Sequence, residues 1–197
     1  MKIRESGMPD QVMWEGFFDV KSILSIMRID HSVNDIADIG CGYGTFSIAA
    51  AKIVQGKVYA IDIDPAMIKE TKTEAAKLHL DNIETVLRDF ADDGTGLKSE
   101  SVDYVMLFNI LHAEEPEKLL QEAYRILKPK GRLGIIHWRF DASTPRGPSI
   151  DIRPRPEQCI TWAKNAGFNS PQQHDLLPYH YGIVLEKPSA YVADWNI

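Results

Sequence analysis

The sequence predicts an α/β protein: a doubly wound, seven-stranded, mostly parallel sheet with helices on both faces and one antiparallel strand near the C-terminus. Three observations predict it. From Asn34 onward, short β-rich apolar runs alternate with segments of helical periodicity, the signature of strand–helix–strand units. A glycine-rich stretch, Asp38-Ile39-Gly40-Cys41-Gly42-Tyr43-Gly44, stands where the first strand should pass into the first helix of the sheet. Two strand-like runs in succession, near 172–176 and 181–187, close the chain.

The elements follow in order. Met13, Phe17, Val20, Leu24 and Met27 step by four and three, which predicts one amphipathic helix ahead of the sheet. Strands are expected at 35–39, 57–61, 83–87, 102–108 and 132–137, with helices at 45–54, 65–80 and 116–127 between them. In the last of these, Leu119, Leu120, Ala123, Tyr124 and Leu127 make one apolar stripe to lay on the sheet, and the Lys-Pro-Lys-Gly that follows is expected to stop the helix as a turn. A final helix runs from Pro156, suited to a first turn, to Ala166, with Gly167 placed for a left-handed C-terminal cap. The longest irregular segment is the proline- and arginine-rich stretch 144–156. Residues 1–33 are expected to form a helical lid segment and 34–197 the sheet-bearing part, within one structural domain.

Composition narrows the function classes. The chain has 197 residues, 44% of them hydrophobic, and a formal net charge of −6. That balance lacks the general attraction for phosphate backbones and anionic membranes, so nucleic acid is disfavoured as a partner and no membrane association is expected. Cys41 and Cys159 fit neither a metal-binding nor a secretory pattern, so no metal site is expected. With no spanning apolar run and no signal-peptide core after Met1, a cytoplasmic location is expected.

Chemistry concentrates around the glycine stretch. Three glycines at alternate positions permit a tight turn with no side chain in the way of a closely approaching ligand. Asp62 ends the second strand 22 residues after Gly40, where an acid of this fold can accept hydrogen bonds from both hydroxyls of a ribose. Asp64, just before Pro65, suits the cap of the next helix better than Asp62 does. Asp89 follows the third strand, within reach of an adenine amino group. The carboxyl ends of successive strands are where open α/β sheets bind ligands, so the pattern implies an adenosine-containing cofactor.

Here the sequence resembles a known family. Asp38 to Gly44 is similar to the first motif of class I methyltransferases, and Val58-Tyr59-Ala60-Ile61-Asp62-Ile63-Asp64-Pro65 to the second. Arg88-Asp89-Phe90 falls at that family's adenine-contacting acid. Ser101-Val102-Asp103-Tyr104-Val105 resembles the start of its fourth strand, and the segment from Arg125 to Leu133 its leucine-proline-glycine segment. The likeness runs from Ile36 to Trp138. It implies S-adenosylmethionine as cofactor, S-adenosylhomocysteine as product, and a Rossmann-like domain over 34–197. By the resemblance Gly40, Gly42 and Gly44 surround the methionine part, Asp62 holds the ribose, Asp89 and Phe90 border the adenine and Ile63 packs on its face. Asp38 is expected to hold the glycine turn or the amino group, and Asn109 to lie beside the methionine moiety.

Methyl transfer from a sulfonium needs chiefly an aligned nucleophile, and a base only where the acceptor must lose a proton. His112 and His137, at the ends of the fourth and fifth strands, are the candidates for that base or for a substrate contact. Trp138 is a candidate wall of the acceptor pocket, and Trp14 and Phe18, with Phe17, candidate lid residues. Arg146, with Arg153 and Arg155, is a candidate for binding an anionic acceptor. Asn109-Ile110-Leu111-His112 departs from the motif of nucleobase-amino methyltransferases, and two cysteines are too few for a trivalent arsenic acceptor. A small-molecule acceptor is therefore expected, with a protein side chain next. Two alternatives stay open: a cofactor-binding module without transfer activity, and a nicotinamide-dependent oxidoreductase, whose fingerprint wants its third glycine where Thr45 stands. Neither the acceptor nor the oligomeric state is written in these motifs.

Overall fold

A computed structural model describes residues 9–141 and 143–189. The start of the expected lid segment (1–8), Ala142, and the end of the expected sheet-bearing part (190–197) lie outside the described residues. Two short helices, α1 (Gln11–Glu15) and α2 (Val20–Ile26), precede β1 (Ile36–Ile39), α3 (Thr45–Ala51), β2 (Val58–Asp62), α4 (Pro65–Lys77), β3 (Ile83–Leu87), β4 (Val102–Phe108), α5 (Pro116–Ile126) and β5 (Leu127–Trp138). A 3-10 turn (Ile150–Ile152), α6 (Pro156–Asn165), β6 (Asn169–Leu176) and β7 (His180–Glu186) complete the described chain.

The seven strands form one sheet in the order β3-β2-β1-β4-β5-β7-β6. Both pairings of β7, with β5 and with β6, are antiparallel and the other pairings are parallel, so β7 alone runs against the rest. The strand order reverses between β1 and β4, and such a switch opens a crevice at the carboxyl ends of the strands.

Alternation along the central strand builds a core on each face. Tyr104, Met106 and Phe108 join Leu24, Phe46 and Ala50 of α2 and α3, while Val105 and Leu107 join Leu119, Leu120, Ala123 and Ala163 of α5 and α6. Burial on both faces explains why β4 reads as a continuous apolar run from Tyr104 to Phe108 rather than an alternating one.

The expected single helix over 13–27 is two helices. Gly16 terminates α1, and the Asp19 carboxylate accepts the Ser22 N–H at 3.2 Å to start α2 afresh. Periodicity alone could not reveal the break, because Phe17 and Phe18 keep their apolar spacing through it. The Lys-Pro-Lys-Gly segment also differs. Leu127 already pairs with Val102, and Arg132 pairs with Tyr104, so residues 128–131 form a bulge inside β5 rather than a turn before it. α3 ends at Ala51 and α4 at Lys77, each three residues short of expectation, and α5 and α6 end one residue short, at Ile126 and Asn165.

Candidate active site

The carboxyl end of β1 sets the geometry. The N–H groups of Gly40 and Cys41 both donate to the Ile61 carbonyl, at 2.8 and 3.0 Å, and the chain then bends through Gly40, Gly42 and Gly44, each with positive φ. An L side chain is strained in that region, so the residue type at these three places follows from the backbone. Gly44 has a second reason: a Cβ there would lie 2.6 Å from the Thr71 hydroxyl of α4. Gly44 thus packs against a helix and does not line the cavity, whereas Gly40 and Gly42 do.

The Asp62 carboxylate closes the turn. Its Oδ2 accepts the Gly42 N–H and its Oδ1 the Asp64 N–H, both at 2.9 Å. A carboxylate offers about four lone-pair sites, so acceptor capacity remains. Asp64 caps α4 by accepting the Ala66 N–H at 2.8 Å, as its position before Pro65 suggested. Asp38 is buried and accepts the Ser47 hydroxyl at 2.5 Å. Burial pushes its carboxyl up to about 7, aided by the neighbouring Asp62 charge and opposed by the Ser47 bond. Asp62 is raised as well, again by burial, against the N–H groups of Asp64 and Gly42. Asp89 turns one oxygen into its own loop, where Oδ1 accepts the N–H groups of Ala91 and Asp92.

These groups border one cavity of about 360 Å³. Asp38, Gly40, Gly42, Asp62, Ile63, Asp89, Phe90 and Asn109 line it, and so do His112, Trp14 and Trp138. Phe18, His137 and Arg146 do not. Phe18 lies behind the wall, 4.9 Å from the Trp14 ring and 5.2 Å from that of Phe46, and 4.5 Å from His180. Arg146 is exposed, and its carbonyl accepts from Arg153. Arg153 spends its guanidinium on carbonyls of Pro148, Arg139, Asp141 and Arg146 and on the Thr144 hydroxyl, holding the irregular loop closed. Arg155 lies over the Phe140 ring at 3.8 Å. The anionic-acceptor expectation for these arginines is therefore withdrawn: among the described residues, no lysine or arginine lines the cavity.

His137 is fully buried directly behind His112, its Nε2 lying 3.3 Å from His112 Nδ1. Tyr43, Phe46, Met67 and Phe108 also line the cavity and were missed in the sequence. Phe46 and Phe108 each adjoin a recognised element, one position into α3 and one before Asn109, and that adjacency was the available signal. Tyr43 further donates its hydroxyl to the Pro9 carbonyl at 3.1 Å, tying the N-terminal segment to the glycine turn.

Asn109 is the clearest sign that the cavity takes a ligand. It holds φ +57, and both side-chain amide atoms are buried without a hydrogen-bond partner. Buried amides left so are rare. Four aspartates line the same cavity, Asp38, Asp62, Asp64 and Asp89, with no cation among the described lining residues. A ligand bearing positive charge and several N–H or O–H donors answers both features.

A family model described as a methyltransferase domain matches residues 30–169. The chain belongs to that family. S-adenosylmethionine is the cofactor this membership implies, and its sulfonium, ammonium and ribose hydroxyls are the donors and charge that the acids and Asn109 lack. Demethylmenaquinone methyltransferase of Listeria monocytogenes is 28% identical over 131 residues, 65% of this chain and 52% of that protein. The chain thus spans about half the length of that relative. An aklanonic acid methyltransferase of a Streptomyces species is 32% identical over 147 residues, 68% of this chain and 66% of that one. A SAM-dependent methyltransferase from Aquifex aeolicus superposes with a TM-score of 0.80 at 25% identity, covering 90% of this chain and 94% of that one. The [4+2]-cyclase SpnF superposes with a TM-score of 0.74 at 15% identity over 96% of this chain and 88% of that one, a likeness of fold alone.

Proposed function

We propose that this methyltransferase domain transfers a methyl group from S-adenosylmethionine to a small-molecule acceptor. One observation carries the reading. A single cavity joins the acids at the ends of β2 and β3 to a separate group, Trp14, Phe108, His112 and Trp138, contributed by β4, β5 and the N-terminal segment. Neighbouring strands lie about 4.8 Å apart, so β3 and β5, four strands apart, put roughly 19 Å between the two ends, room for a nucleoside at one and an acceptor at the other.

In this reading Asp62 accepts the ribose hydroxyls, Asp89 and Phe90 border the adenine, and Ile63 packs on its face. Gly40 and Gly42 leave space for the methionine part, while Asn109 and Asp38 take its polar groups. When bound, the cofactor supplies a methyl group already activated by its sulfonium. The chain then holds the acceptor in line and excludes water with Trp14 and Trp138. The two similar methyltransferases named above are called after small molecules, demethylmenaquinone and aklanonic acid, which supports an acceptor of that size. The chain's acidity, and the lack of a lysine or arginine among the described lining residues, weigh against nucleic acid. Both cysteines are buried and unpaired, in keeping with a reducing cytoplasm.

The test has two parts. Calorimetry with S-adenosylhomocysteine should show saturable binding, and labelled methyl groups should move from the cofactor to a component of a metabolite extract. Binding without transfer to any small or protein acceptor would leave a cofactor-binding module, and absence of binding would sink the assignment.

A further inference from the structure

Asp89 and Phe90 reach the cavity from a segment that has no regular structure to hold it. Residues 88–101, between β3 and β4, carry no helix or strand, and of them only Asp89, Phe90 and Ala91 line the cavity. Two side chains outside the lining fix the segment. Arg88 Nε donates to the Gly94 carbonyl at 2.7 Å, and Glu122 Oε1, from α5, accepts the Thr95 N–H at 2.7 Å. That carbonyl and that N–H belong to one peptide unit, which is thus gripped at both ends. Gly94 takes φ +64, and a Cβ there would lie 3.1 Å from Glu122 Oε1, so the residue type follows from the backbone and from the approach of the carboxylate.

The grip reaches the site because Arg88 and Asp89 are neighbours in the chain. The Arg88 N–H donates to the Asp62 carbonyl at 2.9 Å, and Arg88 Nη2 donates to the Asp93 carbonyl, also at 2.9 Å. The Asp93 N–H in turn donates to the Asp89 carbonyl at 2.8 Å. Glu122 also accepts the hydroxyl of buried Thr95 at 2.6 Å, and Arg125 joins Glu122 to the Leu97 carbonyl. Burial works against a charge on Glu122, but the Arg125 and Thr95 donors outweigh it and hold the carboxyl down at about 2, so it remains an acceptor at neutral pH. Within this frame the N–H groups of Ala91 and Asp92 occupy Asp89 Oδ1. Among the described residues no donor is bonded to Oδ2, which leaves that oxygen for a donor on the ligand.

We propose that Arg88 and Glu122 are positioning residues for base recognition: by clamping the Gly94–Thr95 peptide they hold Asp89 where it accepts from the amino group of adenine and rejects hypoxanthine. This rests on the methyltransferase reading above, in which Asp89 borders the adenine. The amino group of adenine donates, whereas the oxygen that replaces it in hypoxanthine sets one acceptor against another. Such discrimination needs a fixed acceptor, because a carboxylate free to turn loses the aligned bond to the right base and escapes the repulsion of the wrong one. Neither Arg88 nor Glu122 lines the cavity, so each acts through Asp89 and not on the ligand.

The experiment compares two ligands on the full chain. Calorimetry is run with S-adenosylhomocysteine and with S-inosylhomocysteine, which carries hypoxanthine in place of adenine, and the ratio of the two affinities is read. Wild type should prefer the adenine ligand by about ten-fold or more, since a hydrogen bond to a charged acceptor contributes that much. Arg88→Met and Glu122→Leu should bring the ratio below about three-fold. Arg88→Lys, which can still donate to the Gly94 carbonyl, and Glu122→Gln, which can still accept from the Thr95 N–H, should restore most of it. A residue that merely supports the fold lowers the melting temperature and weakens both ligands alike. An unchanged ratio in Arg88→Met therefore overturns the proposal, even where Glu122→Leu does not fold. A wild type that binds both ligands without preferring adenine also overturns the proposal alone, and a wild type that binds neither overturns the methyltransferase reading itself.

Discussion

The Gly42 amide donates to the Asp62 carboxylate at 2.9 Å, so the glycine turn after β1 and the acid ending β2 are one hydrogen-bonded unit facing one cavity. Asp62→Ala removes the acceptor of this bond and of the Asp64 N–H. Each charge-assisted bond is worth about 1.5–3 kcal/mol, so cofactor affinity should drop by about ten-fold or more while the domain stays folded. Calorimetric titration with S-adenosylhomocysteine checks it; unchanged affinity removes Asp62 from the binding surface.

Asn109 separates backbone from side-chain effects. Its φ of +57 favours glycine, and its amide atoms have no hydrogen-bond partner among the described residues. Asn109→Gly should therefore match or exceed wild type in thermal stability and bind S-adenosylhomocysteine more weakly. Asn109→Ala should lose in both, the left-handed backbone costing about 1 kcal/mol. Melting curves with and without ligand report both quantities, and full affinity in Asn109→Gly would exclude the amide from the site.

Asp38 predicts a pH dependence of binding. Its carboxyl, ordinarily near 3.8, is pushed up to about 7, mainly by burial. The stability tied to its neutral form is complete below the ordinary value and lost as pH rises through about 7. A cationic ligand favours the ionised form, so binding expels the proton, and affinity for S-adenosylmethionine should climb with pH up to about 7 and then level off. Asp38→Asn keeps an acceptor for Ser47 and should flatten that rise; a slope that persists in this variant points to another group.

His180 predicts acid sensitivity of the fold. It lies between the Phe18 and Trp138 rings, at 4.5 and 4.2 Å, with Nε2 buried and lacking a hydrogen-bond partner. Burial, with Arg153 nearby, lowers its imidazole to about 3 from an ordinary 6.5. Its contribution is complete above 6.5 and lost as pH falls toward about 3. His180→Phe keeps an aromatic ring in the stack with no charge to bury. Denaturant midpoints should therefore fall less steeply with acid in the variant than in wild type, and equal slopes would refute this role.

Much of the site was legible because its residues sit at fixed offsets from strand ends. Asp62 and Asn109 each follow an apolar run whose end is visible, and a parallel sheet brings those ends to one rim. Phe46 and Met67 were missed because an apolar residue in a helix's first turn reads equally well as core. Arg146 and Arg153 misled for the opposite reason: a cationic run in a loop suggests an anion, but five donors on one guanidinium can be consumed by the loop's own carbonyls, as Arg153 shows.

Local order along the chain determined the strand–helix alternation, the turn that needs glycine and the acids beside it, because hydrophobic period and backbone φ act between near neighbours. Only the assembled sheet decided that His137 stands behind His112, that Trp14 reaches the cavity, and that residues 128–131 bulge within β5. Those relationships join positions distant in sequence through packing and strand register, and no local pattern carries such distances.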